Sequence, residues 1–180
     1  MKLRIIGLIL LLSCCGQQEK INKDIAELKE KLPKLEPPLN FNSDRKMKLR
    51  SIELPDNELI KKLKEKSYFT LVGKVFETDN NITILGYVPD DIGTPILITY
   101  DNSGNELSSH AIYENAMGDM GHYTTNIVTI TPDRQILFTD STTTRKINAE
   151  GTDEIPGTDS LSVTHKKYRL TDQGLIENVE

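Results

Sequence analysis

The chain has 180 residues, with 22 Lys/Arg against 27 Asp/Glu, a net charge of −5, and hydrophobic and charged fractions of 37% and 27%. Such values suit one ordinary globular domain with an appendage. The charge is unevenly spread: residues 17–66 hold 13 basic and 10 acidic side chains, and residues 67–180 hold 7 and 17. So acidic a main domain excludes a nucleic-acid partner, whose phosphates demand the opposite sign.

In chain order, the first element is an address. Met1-Lys2-Leu3-Arg4 is a short basic start, Ile5 to Leu12 is an apolar run, and Ser13 is a small residue ahead of Cys14. That is the anatomy of an export signal. The run is far shorter than the roughly 20 apolar residues a spanning helix needs. Leu11-Leu12-Ser13-Cys14 resembles the bacterial lipobox, and the resemblance implies cleavage before Cys14 and diacylglycerol on its sulfur. A cut one residue later would put Cys14 where Gly, Ala or Ser is usual. Two or more acyl chains make membrane attachment durable where a single chain does not. Cys15 follows, not Asp, so by resemblance to enterobacterial lipoproteins the destination is the outer membrane, with the face left open. Cys14 and Cys15 are the only cysteines, so the domain beyond holds no disulfide, zinc knot or thiol nucleophile. A thiol-free domain suits an oxidising compartment.

Three segments are therefore expected: a signal peptide over 1–13, a lipidated N-terminal region over 14–66, and a β domain over 67–180. Within the second, residues 20–32 place Ile21, Ile25, Leu28 and Leu32 on one helix face, with Glu27 and Lys31 spaced as an ion pair. Pro33 ends that helix. A helix so short needs a surface to dock on: its own domain, a partner or the lipid interface. Residues 33–43 are Pro-rich and extended, a spacer in which Leu39 and Phe41 add an edge strand. A second short helix is expected over 55–66, with Pro55 in its first turn, acids early, lysines late, and Leu59, Ile60 and Leu63 towards a sheet.

From Tyr68 onward, runs rich in Val, Ile, Thr and aromatics alternate with polar turns, which predicts antiparallel strands. They fall near 68–76, 82–88, 95–101, 106–113, 122–130, 134–147, 161–170 and 174–178. Connectors such as Asp101-Asn102-Ser103-Gly104-Asn105 are short enough to force hairpins. The fold class is mainly β, an antiparallel meander of about eight strands. It forms an open curled sheet, two small sheets or a barrel, with one or two short N-terminal helices covering one face. Residues 140–146 are polar on both faces and belong near a sheet edge or rim. Residues 151–160 form the longest connector, the kind of place where function concentrates. The runs TDNNITILGYV, YDNSGNEL and YRLTDQGLIE resemble small uncharacterised envelope lipoproteins of Bacteroidota. That resemblance implies a lipoprotein with an antiparallel β domain, and no activity.

Chemistry is sparse. His110, His122 and His165 lie on separate strands with no second histidine at i+2 to i+4 and no HExxH. Asp101 to Glu106 looks like a calcium loop, but glycine is fourth and the twelfth position is Ile112, so turn geometry explains it better. The acidic pairs Asp90-Asp91 and Asp153-Glu154 read as loop solubilisers. There is no GxSxG, Walker loop or GxGxxG. Met117 and Met120, among glycines between two strands, cap a core end or touch a partner. The resulting expectation is a non-catalytic envelope lipoprotein. It is anchored through Cys14, needs no cofactor or metal, and contacts another envelope protein through its β surface or loops 114–121 and 151–160. Two alternatives stand beside it: a small carrier holding a hydrophobic ligand inside a barrel, and an envelope hydrolase.

Overall fold

The computed structural model describes residues 23–45, 52, 60–61, 70–114, 116 and 118–179. Helix α1 covers residues 23–31 of these. Ile25, Leu28 and Leu32 are buried along one side, and Lys31 meets Glu27 at 2.5 Å. Ile21 lies outside the described residues. Of the second expected helix only Ile60 and Lys61 are described; both are helical, and Ile60 is buried.

Ten strands follow: β1 (Leu39–Asn42), β2 (Thr70–Glu77), β3 (Asn81–Tyr87), β4 (Pro95–Asp101), β5 (Glu106–Ala111), β6 (Gly118–Asp119), β7 (His122–Ile130), β8 (Gln135–Thr144), β9 (Ser160–Leu170) and β10 (Ile176–Asn178). They form two antiparallel sheets, one of four strands in the order β2-β3-β4-β5, the other β1-β7-β8-β9-β10 with β6 also on β7. Every short polar connector expected to close a hairpin does so. The chain passes from the six-stranded sheet at β1 to the four-stranded sheet over β2–β5 and back at β6, so the meander is split in two, and the described strands close no barrel.

Three layers result. Helix α1 packs on the outer side of the four-stranded sheet, where Ile25, Leu28 and Leu32 meet Ile82, Ile84 and Ile98. On the other side Leu85, Leu97 and Val75 face Phe41, Val128 and Phe138 of the six-stranded sheet. β3 therefore has no solvent face, which is why Asn81 to Gly86 are all buried. Thr83 and Thr99, also fully buried, satisfy each other at 3.0 Å.

Residues 33–42 stitch these layers. Leu35 N–H donates to Lys74 O at 2.8 Å and Lys74 N–H to Pro33 O at 2.9 Å, beside β2; β1 then pairs with β7. The crossing is close. A Cβ at Gly73 would stand 2.6 Å from Pro33 O and 2.9 Å from Leu35 Cγ, so only glycine fits there. At the other end the β9–β10 turn leans onto the four-stranded sheet. Gly174 has φ +83°, and a Cβ on it would lie 2.7 Å from Thr99. Its carbonyl accepts the Ser108 hydroxyl at 2.6 Å, and Asn81 Nδ2 donates to Asp172 O at 2.8 Å.

Of the two placements expected for residues 140–146, described strand residues 140–144 take the rim and not a lateral edge: β8 is flanked by β7 and β9 as far as Thr144. They are polar on both sides because the buried cluster ends at Phe138, and the strand runs on past it as a rim.

Candidate interaction surface

Alternation divides the side chains of the six-stranded sheet. Val128, Ile130, Ile136 and Phe138 enter the sandwich, so Ile127, Thr129, Leu137 and Thr139 face solvent. Register carries the division across the strands. Tyr123 opposes Thr143, which opposes Leu161; Thr125 opposes Ser141 and then Val163; Ile127 opposes Thr139 and then His165; Thr129 opposes Leu137 and then Lys167. The result is a flat field in which aliphatic and hydroxyl side chains alternate. Leu161 is 65% exposed, Val163 47% and Ile127 46%. Among the described residues the field holds no carboxylate. Carboxylates stand at its margins: Asp44 accepts from the Thr125 hydroxyl at 2.8 Å, Glu154 accepts from the Tyr123 hydroxyl, and Glu177 lies opposite Arg169.

The connection after β8 is fixed at the end of this field. Ile147 and Glu154 form a bridge, and Arg145 holds the loop closed from inside. Its Nη1 donates to Glu154 at 2.6 Å, and Nε and Nη2 donate to Asp159 at 2.8 and 2.5 Å. Glu154 also accepts the Gly121 N–H at 2.9 Å and the Tyr123 hydroxyl. The Tyr123 bond, then the Gly121 N–H, hold this carboxyl below its ordinary value. The loop expected to be the longest free connector is thus tied to the face, with Ile147 and Ile155 exposed on it.

A second polar group braces the sheets against each other. The His110 ring of β5 lies 4.9 Å from the Tyr168 ring of β9, and the Tyr168 hydroxyl donates to Glu114 at 2.7 Å. Lys166 donates to the same carboxylate while its ammonium sits 5.4 Å over the Phe138 ring. Burial resists ionisation of Glu114, but the bonds from Lys166 and Tyr168 outweigh it and hold the carboxyl low. Burial lowers His110, with the Glu114 charge opposing and the Lys166 charge assisting.

The three histidines are not gathered. His165 leaves β9 on the face opposite Tyr168 and lies 3.1 Å from the Thr139 hydroxyl, whereas His122 is 3.4 Å from Thr124 at the rim. Among the described residues no three His, Cys, Asp or Glu side chains stand together as a metal site. In the loop read against calcium, Asp101 Oδ1 accepts the Ser103 and Asn105 N–H groups and Oδ2 the Asn105 amide. Its oxygens complete the turn. Asp90 does the same for Ile92, Gly93 and Thr94.

An open groove of about 600 Å³ runs between the Asp90–Thr94 turn and the approach to β6, over Ile92, Tyr113 and Ala116. It lies on the surface, while the space between the sheets is filled with side chains. Met120 is exposed; Met117 and Cys14 lie outside the described residues. The apolar members of the outer face went unnoticed in the sequence because Ile and Leu alternating with Thr is ordinary strand composition. The available signal was parity: once Ile136 and Phe138 are taken as inward, Leu137 must face out. No described helix is long and apolar enough to cross a membrane. No family model, curated protein or solved structure matches this chain.

Proposed function

We propose that the chain is a membrane-anchored envelope lipoprotein, attached through lipid on Cys14, whose outer six-stranded-sheet face binds another envelope protein. The reading assigns no residue to catalysis, to a cofactor or to a metal. The anchor rests on the basic start, apolar run and Ser13-Cys14 in register. The interaction rests on one observation: a contiguous face with Tyr123, Ile127, Leu137, Leu161 and Val163 exposed and no carboxylate inside it, on an otherwise acidic domain. Exposed apolar patches rimmed by polar residues mark contact surfaces, and charge is depleted at the centre of such contacts. Among the described residues, helix α1 lies on the opposite side of the four-stranded sheet from this face.

The test is capture of envelope proteins on the full chain in detergent, beside an Ile127→Lys/Leu137→Lys variant. Both side chains are exposed, so the variant should fold with its melting temperature nearly unchanged and lose the captured protein. Equal capture by variant and parent, or none above background, refutes the proposal.

A further inference from the structure

We infer that β9 pairs edge to edge with β9 of a second copy of this chain, antiparallel, about a two-fold axis near Ser162. The two edges of the six-stranded sheet differ. On the β7 side, β1 covers Ile127 to Ile130, Ser43 bonds both backbone groups of Asn126, and β6 covers His122 and Tyr123. On the β9 side, β10 covers only Tyr168 to Leu170, with Val179 N–H reaching Lys167 O at 2.7 Å. Residues 160–166 have β8 on one side and, among the described residues, no strand on the other. Since Lys167 turns its carbonyl away from β8, alternation turns the N–H and C=O groups of Leu161, Val163 and His165 the same way. This stretch has no proline and no bulge, the usual protections of an edge strand, and all its residues are exposed. The four-stranded sheet does protect its edges. Residues 33–35 lie along β2, and β5 has a register break and carries the Gly174 turn.

The occupant follows from what the strand presents. Antiparallel to itself about Ser162, β9 sets Leu161 of one copy against Val163 of the other, twice, as pairs that exchange both backbone bonds. The same register brings Asp159 towards His165 of the second copy at both ends. It also stops short of Lys167, where Val179 already occupies the edge. Parallel pairing would instead stack Lys166 and Lys167 on their own copies, like charge against like. A self-complementary strand is what a two-fold interface requires. The edge shares Leu161 and Val163 with the face proposed to bind a partner, whereas Ile127 and Leu137 lie on β7 and β8, away from it, so the two sets of variants separate the readings.

The experiment is sedimentation of the full chain in density-matched detergent, beside L161K/V163K and L161E/V163E. The parent should dimerise, and each variant should dissociate roughly tenfold or more readily. An equimolar mixture of the two variants should regain the dimer, lysine against glutamate. V163P tests the backbone, since the Val163 N–H makes no bond to β8: it too should dissociate the dimer while the far-ultraviolet spectrum is kept. A monomeric parent, a mixture that does not recombine, or a dimer broken by I127K/L137K but not by L161K/V163K overturns the inference.

Discussion

Arg134 donates to Asp172 at 2.7 Å and so ties the β7–β8 turn to the β9–β10 turn. It does this from φ +63°, the left-handed region, where the described chain otherwise places only glycine. Its guanidinium also lies 5.7 Å over the Phe76 ring. Three strand ends, from both sheets, meet on one strained residue.

The strain and the contacts can be separated. Arg134→Ala keeps the unfavourable backbone and loses the ring and carboxylate contacts, so it should cost about 1 kcal/mol. Arg134→Gly loses the same contacts but relieves the backbone, by roughly 1 kcal/mol. Chemical unfolding should rank the glycine variant above the alanine one. The reverse order would show that the backbone there is not strained.

Thr83 and Thr99 should behave as a unit. Either one changed to Val strands the other hydroxyl in a sealed site, at about 1–3 kcal/mol, whereas changing both should cost clearly less than the two singles added. Equilibrium unfolding of the four proteins measures the coupling.

Acid should weaken the brace between the sheets. His110 is held below its usual 6.5 by burial, so its share of stability is full above that value and is lost as pH falls through the folded value. Glu114 is depressed from 4.5, so its share lies above 4.5 and is lost lower still. Both act in the same direction. His110→Gln should therefore flatten the fall in stability between about pH 7 and 5 and leave the steeper loss at lower pH. Parallel pH profiles for parent and variant would remove His110 from the account.

The Arg145 contacts lie on an exposed loop, so their loss should register locally and hardly in global stability. Arg145→Ala should speed hydrogen exchange at the Gly121 and Ile155 amides, which donate to Glu154 and to Lys146 O. Amides within β3 should keep their protection. Unchanged exchange at Gly121 would mean the loop is held by its other bonds.

For the anchor, Cys14→Ala should abolish metabolic palmitate labelling and move the protein out of the membrane fraction, whereas Cys15→Ala should do neither. Persistent labelling of the Cys14 variant would remove the lipobox from the account.

Much of the fold was legible because its turns announce themselves. Asp101 to Asn105 and Thr131 to Arg134 are polar, short and rich in turn formers, and each closes the expected hairpin. Strand β6 was not legible: Gly118-Asp119 has neither alternation nor β propensity, and only pairing with β7 makes it a strand. The split into two sheets was one of three open arrangements, since alternation tells which side chains share a face but not which face meets which. In β3 Ile82 and Ile84 lie on one face and Thr83 and Leu85 on the other, and all four are buried. The near-continuous run Ile82-Thr83-Ile84-Leu85 was the sign that both sides are covered. The outer field was hidden for the opposite reason, since an exposed Ile127 beside Thr125 and Thr129 looks like any strand until the register is known.

The stretch from Pro33 to Asn42 also settles how the molecule would respond to a pull on its amino end. Tension arriving there first meets a helix held by side-chain packing and by the side-chain bonds of Lys29 to Thr78 O and Asn102 and of Lys74 to Lys29 O, which peel one contact at a time. It next meets the paired backbone beside β2, then β1 lying along β7, where several bonds must shear together. A tug should therefore lift off the helix at modest force and stall at the seam between the sheets, leaving β3 to β5 and β7 to β10 intact.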